Sequence, residues 1–285
     1  MNHKDTFFLR KKTLNLRGRL LDLSYPVVMG ILNVTPDSFY DGSRFHSPNE
    51  IVEAAGKMMA EGASIIDVGG YSSRPGAEHV NAEIEYDRVV PAVESILRAY
   101  PDAIISVDTF RATVAEASLK LGACIINDIS GGALDDNMYA TVAHYKAAYI
   151  IMHMRGTPEN MHSLTGYDDL PLELIDYFQK KIHAAHKAGI VDIIIDPGFG
   201  FSKTIEENYH LLKNLDAFKV LGYPLLVGIS RKSMIYKQLN TNPEKALNGT
   251  TALNAIALMN SVNILRVHDV YQAKEVITLY KSIYN

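Results

Sequence analysis

Eight short apolar runs recur along the chain, and nearly every one carries, at or just beyond its end, a polar residue that its own apolar body does not explain. They cover residues 27–33, 64–69, 103–108, 124–128, 148–153, 192–196, 225–228 and 262–267. Runs of this length, largely uncharged, rich in Val and Ile and bounded by turn residues, read as strands buried on both faces. Between them lie patterns of helical period at 48–61, 82–98, 111–121, 136–144, 172–188, 205–215, 244–259 and 270–282. The first of these carries its own start signal. Ser47 is followed by Pro48 and, three residues on, by Glu50, a capping-box spacing. Gly62, Gly122 and Gly189 stand where left-handed helix stops belong. Strict alternation of strand and helix predicts a parallel sheet, and eight such units in 285 residues predict a (β/α)8 barrel. A doubly wound open sheet is the alternative. No GxGxxG follows the first strand, which argues against a Rossmann dinucleotide site.

Two apolar-polar segments within residues 6–22 flank Asn15 to Gly18 and predict an amino-terminal β-hairpin, set to cap the bottom of the barrel. Its Lys and Arg residues read as protection of an edge strand. Residues 1–25 are thus an extension and 26–285 one barrel domain. Residues 155–169 form the longest irregular piece after the fifth strand, with the length of a mobile loop. A net charge of −4 argues against non-specific nucleic-acid binding. The single cysteine, Cys124, excludes an internal disulfide and reads as a small core residue beside Ile125. No signal peptide and no apolar run of membrane-spanning length is present, so a cytoplasmic protein is expected.

A barrel gathers its strand ends around one mouth. Here those ends supply Asn33, Asp67, Asp108, Asn127 with Asp128, His153, Asp196, then Ser230 to Lys232, and finally Arg266 with His268. Each has a plainer alternative: an Asp at a strand end often caps the next helix, as Asp67 or Asp269 could, and His153 fits a hydrogen-bonded core residue. Eight independent caps on one rim are harder to sustain. Asp108, Asn127 and Asp196 offer acceptors and one amide donor. Carboxylates in a pocket need a partner, so they suit a cation or a planar, donor-rich ligand such as an amino-pyrimidinone edge. Lys232 adds a donor for ring acceptors. Arg266 and His268 are two apart on one strand and face the same way. With Asn33 and the amides of the first loop they form a phosphate or diphosphate clamp. No P-loop, HExxH or Ser-His-Asp order is present, and nothing demands a covalent nucleophile.

In order, the chain carries MGILNVTPDSFYDG (29–42), IDVGGYSSRPGA (66–77), SVDT (106–109), INDISGG (126–132), DPGFGFSK (196–203), GISRK (228–232) and RVHDV (266–270). Together these resemble the dihydropteroate synthases of the pterin-binding family, over nearly the whole chain from about Leu14. The resemblance implies a transferase of folate biosynthesis. It would join p-aminobenzoate to a 7,8-dihydropterin bearing a hydroxymethyl diphosphate and release diphosphate. By resemblance, Asp108, Asn127, Asp196 and Lys232 hold the pterin. Asn33, Arg266 and His268 hold the diphosphate, with Asn33 a ligand of Mg2+, and with Lys232 these are the catalytic residues. Ser73, Arg74, Pro75, Phe201, Lys232 and Ser233 form the p-aminobenzoate slot, the site at which sulfonamides compete. The loops at 34–45 and 71–80 are expected to close over the substrates and exclude water. The family also implies a homodimer. Two positions depart from its pattern: Ser73 replaces the common Thr, and Tyr71 replaces a frequent acidic residue. Both are expected to leave the reaction intact and to bear on p-aminobenzoate or sulfonamide affinity.

Two other readings compete. A methyltetrahydrofolate-dependent methyltransferase barrel shares the acidic pterin-holding residues, but the SSRPG loop and the Arg266/His268 pair suit diphosphate release. A degenerate, non-catalytic pterin-binding paralogue would have lost Asn33, Lys232 or Arg266, and all three are present.

Overall fold

The computed structural model describes residues 11–35, 47–71 and 80–284. It opens with β1 (Thr13–Leu16) and β2 (Arg19–Asp22), an antiparallel hairpin turning at Arg17 and Gly18. Eight strand-helix units follow. They are β3 (Val27–Asn33) with α1 (Pro48–Ala60), β4 (Ala63–Gly69) with α2 (Ala82–Ala99), β5 (Ile105–Asp108) with α3 (Ala112–Leu121), and β6 (Ile125–Asp128) with α4 (Met138–Tyr145). Then come β7 (Ala148–Met152) with α5 (Leu170–Lys187), β8 (Ile193–Asp196) with α6 (Ile205–Lys213), β9 (Leu226–Val227) with α7 (Ser233–Tyr236) and α8 (Leu247–Met259), and β10 (Ile264–Val267) with α9 (Val270–Tyr284). The sheet runs β8-β7-β6-β5-β4-β3-β10-β9, every pair parallel. A parallel bridge between Ile195 and Leu225 joins its two ends. The sheet therefore closes as a barrel, not as the open doubly wound alternative.

Side chains alternate across each strand and so sort into two cores. Outward residues such as Val28, Ile66, Val107, Ile126, Ile151, Ile193 and Leu265 pack under the helices in one large cluster. Inward residues Met29, Ile65, Ile125, Ile150, Ile194, Leu226 and Ile264 form the barrel floor. Leu14, Leu16, Leu21 and Leu23 of the hairpin join that floor cluster and are at most 9% exposed. Each such burial contributes about 1.5–3 kcal/mol, so the hairpin is a plug. Two of its cations anchor it to the barrel, a role beyond guarding an edge. Lys11 pairs with Asp192 at 2.7 Å, and the Arg17 guanidinium donates to the carbonyls of Leu119 and Ala123 at 2.8 and 3.3 Å. Cys124 lies in the same floor cluster, as a core residue should.

The capping box of Ser47 and Glu50 forms on α1, and Gly62, Gly122 and Gly189 all have positive φ. Two helix expectations need correction. Residues 243–245 make a 3-10 turn and α8 begins at Leu247, because the Arg231 guanidinium takes the Pro243 and Glu244 carbonyls at 2.8 Å each. The short helix α7 is additional. The segment 155–169 is tied down along its length. Arg155 lies over the Tyr167 ring at 3.7 Å and donates to Gly166 and Glu173, while its own N–H reaches Ser202.

Candidate active site

On four strands the residue two beyond a floor residue is polar, and it shares the floor residue's inward face. Ile65 leads to Asp67, Ile125 to Asn127, Ile194 to Asp196 and Ile264 to Arg266. The apolar floor thus carries a ring of charge and amide directly above it. Arg266 is its hub. Its Nε donates to Asp67 Oδ2 at 2.6 Å and one terminal nitrogen donates to Asp108 Oδ2 at 2.5 Å. Asn127 Nδ2 donates to the same Asp67 oxygen at 3.0 Å. Asp67 is fully buried, and its Oδ1 has no hydrogen-bond partner among the described residues. Burial works against the Arg266 charge, but Asp67 and Asp108 outweigh it and hold the guanidinium above its usual range. Burial pushes the Asp108 carboxyl up to about 7 against the pull of Arg266, with Asp67 adding to the rise.

Gly69 keeps the neighbouring strands close. A Cβ there would sit 3.3 Å from Asp108 Cβ and 3.7 Å from Asn33 Oδ1. Asn33 ends β3 half-buried at this rim. Across the mouth, Asp196 Oδ1 accepts from Gly198 N–H at 2.8 Å. Burial raises the Asp196 pKa, opposed first by Lys232. Lys232 donates to the Phe199 carbonyl and lies 4.7 Å above the Phe201 ring. Burial lowers its pKa to about 8, opposed by Asp196. Phe201 packs against Ile129, Met152, Met154 and Met161, an apolar wall on one side of the mouth. Ser233 follows Lys232 as the first residue of α7. His268 Nδ1 lies 3.0 Å from Ser230 Oγ, which also accepts its backbone N–H at 3.2 Å.

Asn33, Asp108, Asn127, Asp196, Phe201, Lys232, Arg266 and His268 therefore all stand on strand ends or the loops that leave them, and Ser233 opens the helix that follows the loop after β9. Ser73, Arg74 and Pro75 lie outside the described residues, as do residues 36–46 of the first loop. Tyr71, at the edge of the second loop, meets Phe110 edge-on at 5.2 Å and lies under Arg111. Several strand-end residues play other parts. Asp128 faces outward, where Tyr149, Ser130 and Gly132 donate to it. Asp269 is the bidentate partner of Arg231. Asp67 is no cap but the buried anchor of Arg266. Its signal lay in its register with Ile65 and Gly69. Lys203 was also missed: it is 8% exposed and donates to His153, Gly198 and Phe201.

Among the described residues no group of three or more His, Cys, Asp or Glu could hold a metal, and no helix is long and apolar enough to cross a membrane.

Comparison with known proteins agrees with this geometry. The family described as pterin binding enzyme matches residues 29–268. A dihydropteroate synthase of Escherichia coli (strain K12) is 44% identical over 272 residues, covering 93% of this chain and 94% of that protein. The Yersinia pestis dihydropteroate synthase, solved with a sulfonamide drug complex, superposes with a TM-score of 0.91 at 41% identity, covering 95% of this chain and 99% of that one. The Xanthomonas albilineans enzyme, solved with 4-aminobenzoic acid, gives 0.88 at 36% identity, with 96% and 98% covered. The chain belongs to the pterin-binding enzyme family and, within it, to the dihydropteroate synthases.

Proposed function

We propose that the ring at the barrel mouth divides the synthase reaction among its own residues in the following way. The observation that carries this reading is one juxtaposition: Asp108, Asp196, Arg266 and Lys232, from four different strand ends, face one mouth above an apolar floor. Asp196 offers its second oxygen to the amine and ring N–H of the pterin, and Asn127 and Asp108 take further edges of the same ring. Lys232 donates to a ring acceptor. Asn33, Arg266 and His268 hold the diphosphate. The C–O bond to diphosphate breaks first, and the electron pair leaves with oxygen. The exocyclic methylene then carries positive charge that the electron-rich dihydropterin spreads. The carboxylates of Asp108 and Asp196 favour that charge, while Arg266 and His268 favour the departing anion. The aniline nitrogen of p-aminobenzoate adds to the methylene, a C–N bond forms, and the amine passes one proton to the released diphosphate. Phe201, backed by its methionine wall, and Lys232 line the aryl slot with Ser73, Arg74, Pro75 and Ser233.

Mg2+ is part of this reading. A cation bound to a diphosphate takes one or two protein oxygens and keeps water on its other positions, so a lone amide oxygen at the rim fits it, and Asn33 is that ligand. Bound there, it would supply charge for the leaving diphosphate. We also read the chain as a cytoplasmic homodimer with residues 26–285 as its single catalytic domain. Exposed Ile256 and Met259 on α8, with Leu279 and Ile283 on the adjacent α9, support a self-association face.

The reading is tested with pterin diphosphate labelled with oxygen-18 at the bridging position. All label is expected in diphosphate after turnover with p-aminobenzoate. Label retained on a pterin alcohol would contradict C–O cleavage.

A further inference from the structure

Lys203 is a buried ammonium that the scheme above does not use. It closes the turn after β8, and that turn carries Phe201 of the aryl slot and the Phe199 carbonyl that takes Lys232. Nζ lies 3.0 Å from the Gly198 carbonyl, 3.0 Å from the Phe201 carbonyl and 3.1 Å from His153 Nδ1. Three acceptors match the three protons of an ammonium. Lys232 takes the carbonyl of Phe199, between the two that Lys203 takes. Two lysines from separate elements thus grip alternating carbonyls of one tight turn. The turn has little freedom elsewhere. Gly198 has φ +71°, and a Cβ there would fall 2.0 Å from the His153 carbonyl oxygen. Gly200 N–H reaches Asn208 Oδ1 at 2.7 Å, and Ser202 Oγ donates to Arg155 O at 3.0 Å. A buried cation with no carboxylate in contact is costly, and a loop needing only a fixed shape could be held by neutral donors. A structural role alone does not call for the charge.

We propose that Lys203 is a positioning residue of the synthase reaction, its ammonium setting the Gly198–Phe201 turn so that the Phe199 carbonyl and Phe201 ring hold Lys232 and the arylamine in register. This rests on the reading of Phe201 and Lys232 as the p-aminobenzoate slot. Asp196 accepts the Gly198 N–H at 2.8 Å, a bond that does not use the Gly198 carbonyl taken by Lys203.

The ammonium is surrounded by His153 at the end of β7, Arg155 beyond it, Asp196 on β8, Glu207 on α6 and Lys232. Burial, then Lys203, depresses the His153 pKa to about 2, so His153 stays a neutral acceptor. Burial lowers Lys203 to about 7, with Asp196 opposing and Lys232 adding. Below neutral pH the ammonium serves all three acceptors; as pH rises through about 7 the amine keeps two N–H donors and one of the three contacts is lost.

The test is steady-state kinetics of Lys203→Met at saturating pterin diphosphate, with equilibrium binding of pterin diphosphate beside it. KM for p-aminobenzoate is expected to rise about tenfold or more while pterin diphosphate affinity stays within about twofold. In the wild type KM should rise as pH passes about 7. The variant should lose that limb but keep any change near 8, where Lys232 titrates. An unchanged KM and an unchanged pH profile would overturn the assignment. Phe201→Ala separates the two ideas. If it leaves KM for p-aminobenzoate unaltered, the slot reading fails and the role of Lys203 fails with it. If it raises KM while Lys203→Met does not, only the role of Lys203 fails. Should Lys203→Met not fold, Lys203→Gln, which keeps a neutral donor, is expected to give an intermediate KM, and a wild-type KM there overturns the assignment.

Discussion

Replacing Asp196 by Asn changes the pterin site and little else. Asp196 is 6% exposed, and its Oδ1 already accepts Gly198 N–H at 2.8 Å. An Asn of the same shape keeps that bond through its own oxygen, so the turn after β8 stays in place. Its other terminus becomes an NH2 facing the donors of the pterin edge. The loss is that of a charge-assisted bond, about 1.5–3 kcal/mol, or roughly 10- to 150-fold in pterin diphosphate affinity. Calorimetric titration of both proteins measures it directly. Thermal unfolding at two pH values checks that the fold is intact. Burial raises the folded Asp196 pKa above its unfolded value. Its ionisation therefore penalises the folded state increasingly as pH rises from the unfolded pKa through the folded one. Asn carries no such penalty, so the melting temperature of the variant relative to wild type should be higher at pH 8 than at pH 4. A pterin affinity within threefold of wild type, in a protein with that melting behaviour, would refute the assignment of Asp196.

Arg266→Met leaves Asp67 and Asp108 facing each other without their shared cation. Breaking a buried pair costs about 3–5 kcal/mol, so melting should fall by roughly 10 °C and turnover should vanish. Acidification should narrow the stability deficit as Asp108, raised by burial, protonates, and a deficit that widened below pH 6 would contradict the pairing. Leu14→Ala opens the barrel floor and should cost about 2–5 kcal/mol by chemical denaturation, with both KM values unchanged. A changed KM would mean the plug shapes the mouth. Asn33→Ala should raise the Mg2+ concentration for half-maximal activity several-fold, and an unchanged Mg2+ titration would remove Asn33 as the ligand.

The barrel was legible in the sequence because its strands are short, apolar and regularly spaced. Val27–Asn33 is found as expected, since an uncharged run ending at Asn33 and Pro36 has few other readings. The helix start at Leu247 was not legible, because it depends on Arg231 claiming carbonyls 12 and 13 residues away. The four-residue α7 is too short to show a period. At the site, the inward residues of β5, β6, β8 and β10 followed from strand ends alone. Asp67 looked like a helix cap because its partner Arg266 is 199 residues distant. Lys203 sits in a quoted motif, yet a lysine ending a loop ordinarily points to water. Only the fold shows that three acceptors converge on it.

The most direct test of the central claim is product analysis of the purified protein supplied with 7,8-dihydropterin-6-ylmethyl diphosphate, p-aminobenzoate and Mg2+. Dihydropteroate and diphosphate should form in equal amounts, with sulfonamides competing against p-aminobenzoate alone. No dihydropteroate from those substrates, together with tight binding of methyltetrahydrofolate, would contradict it.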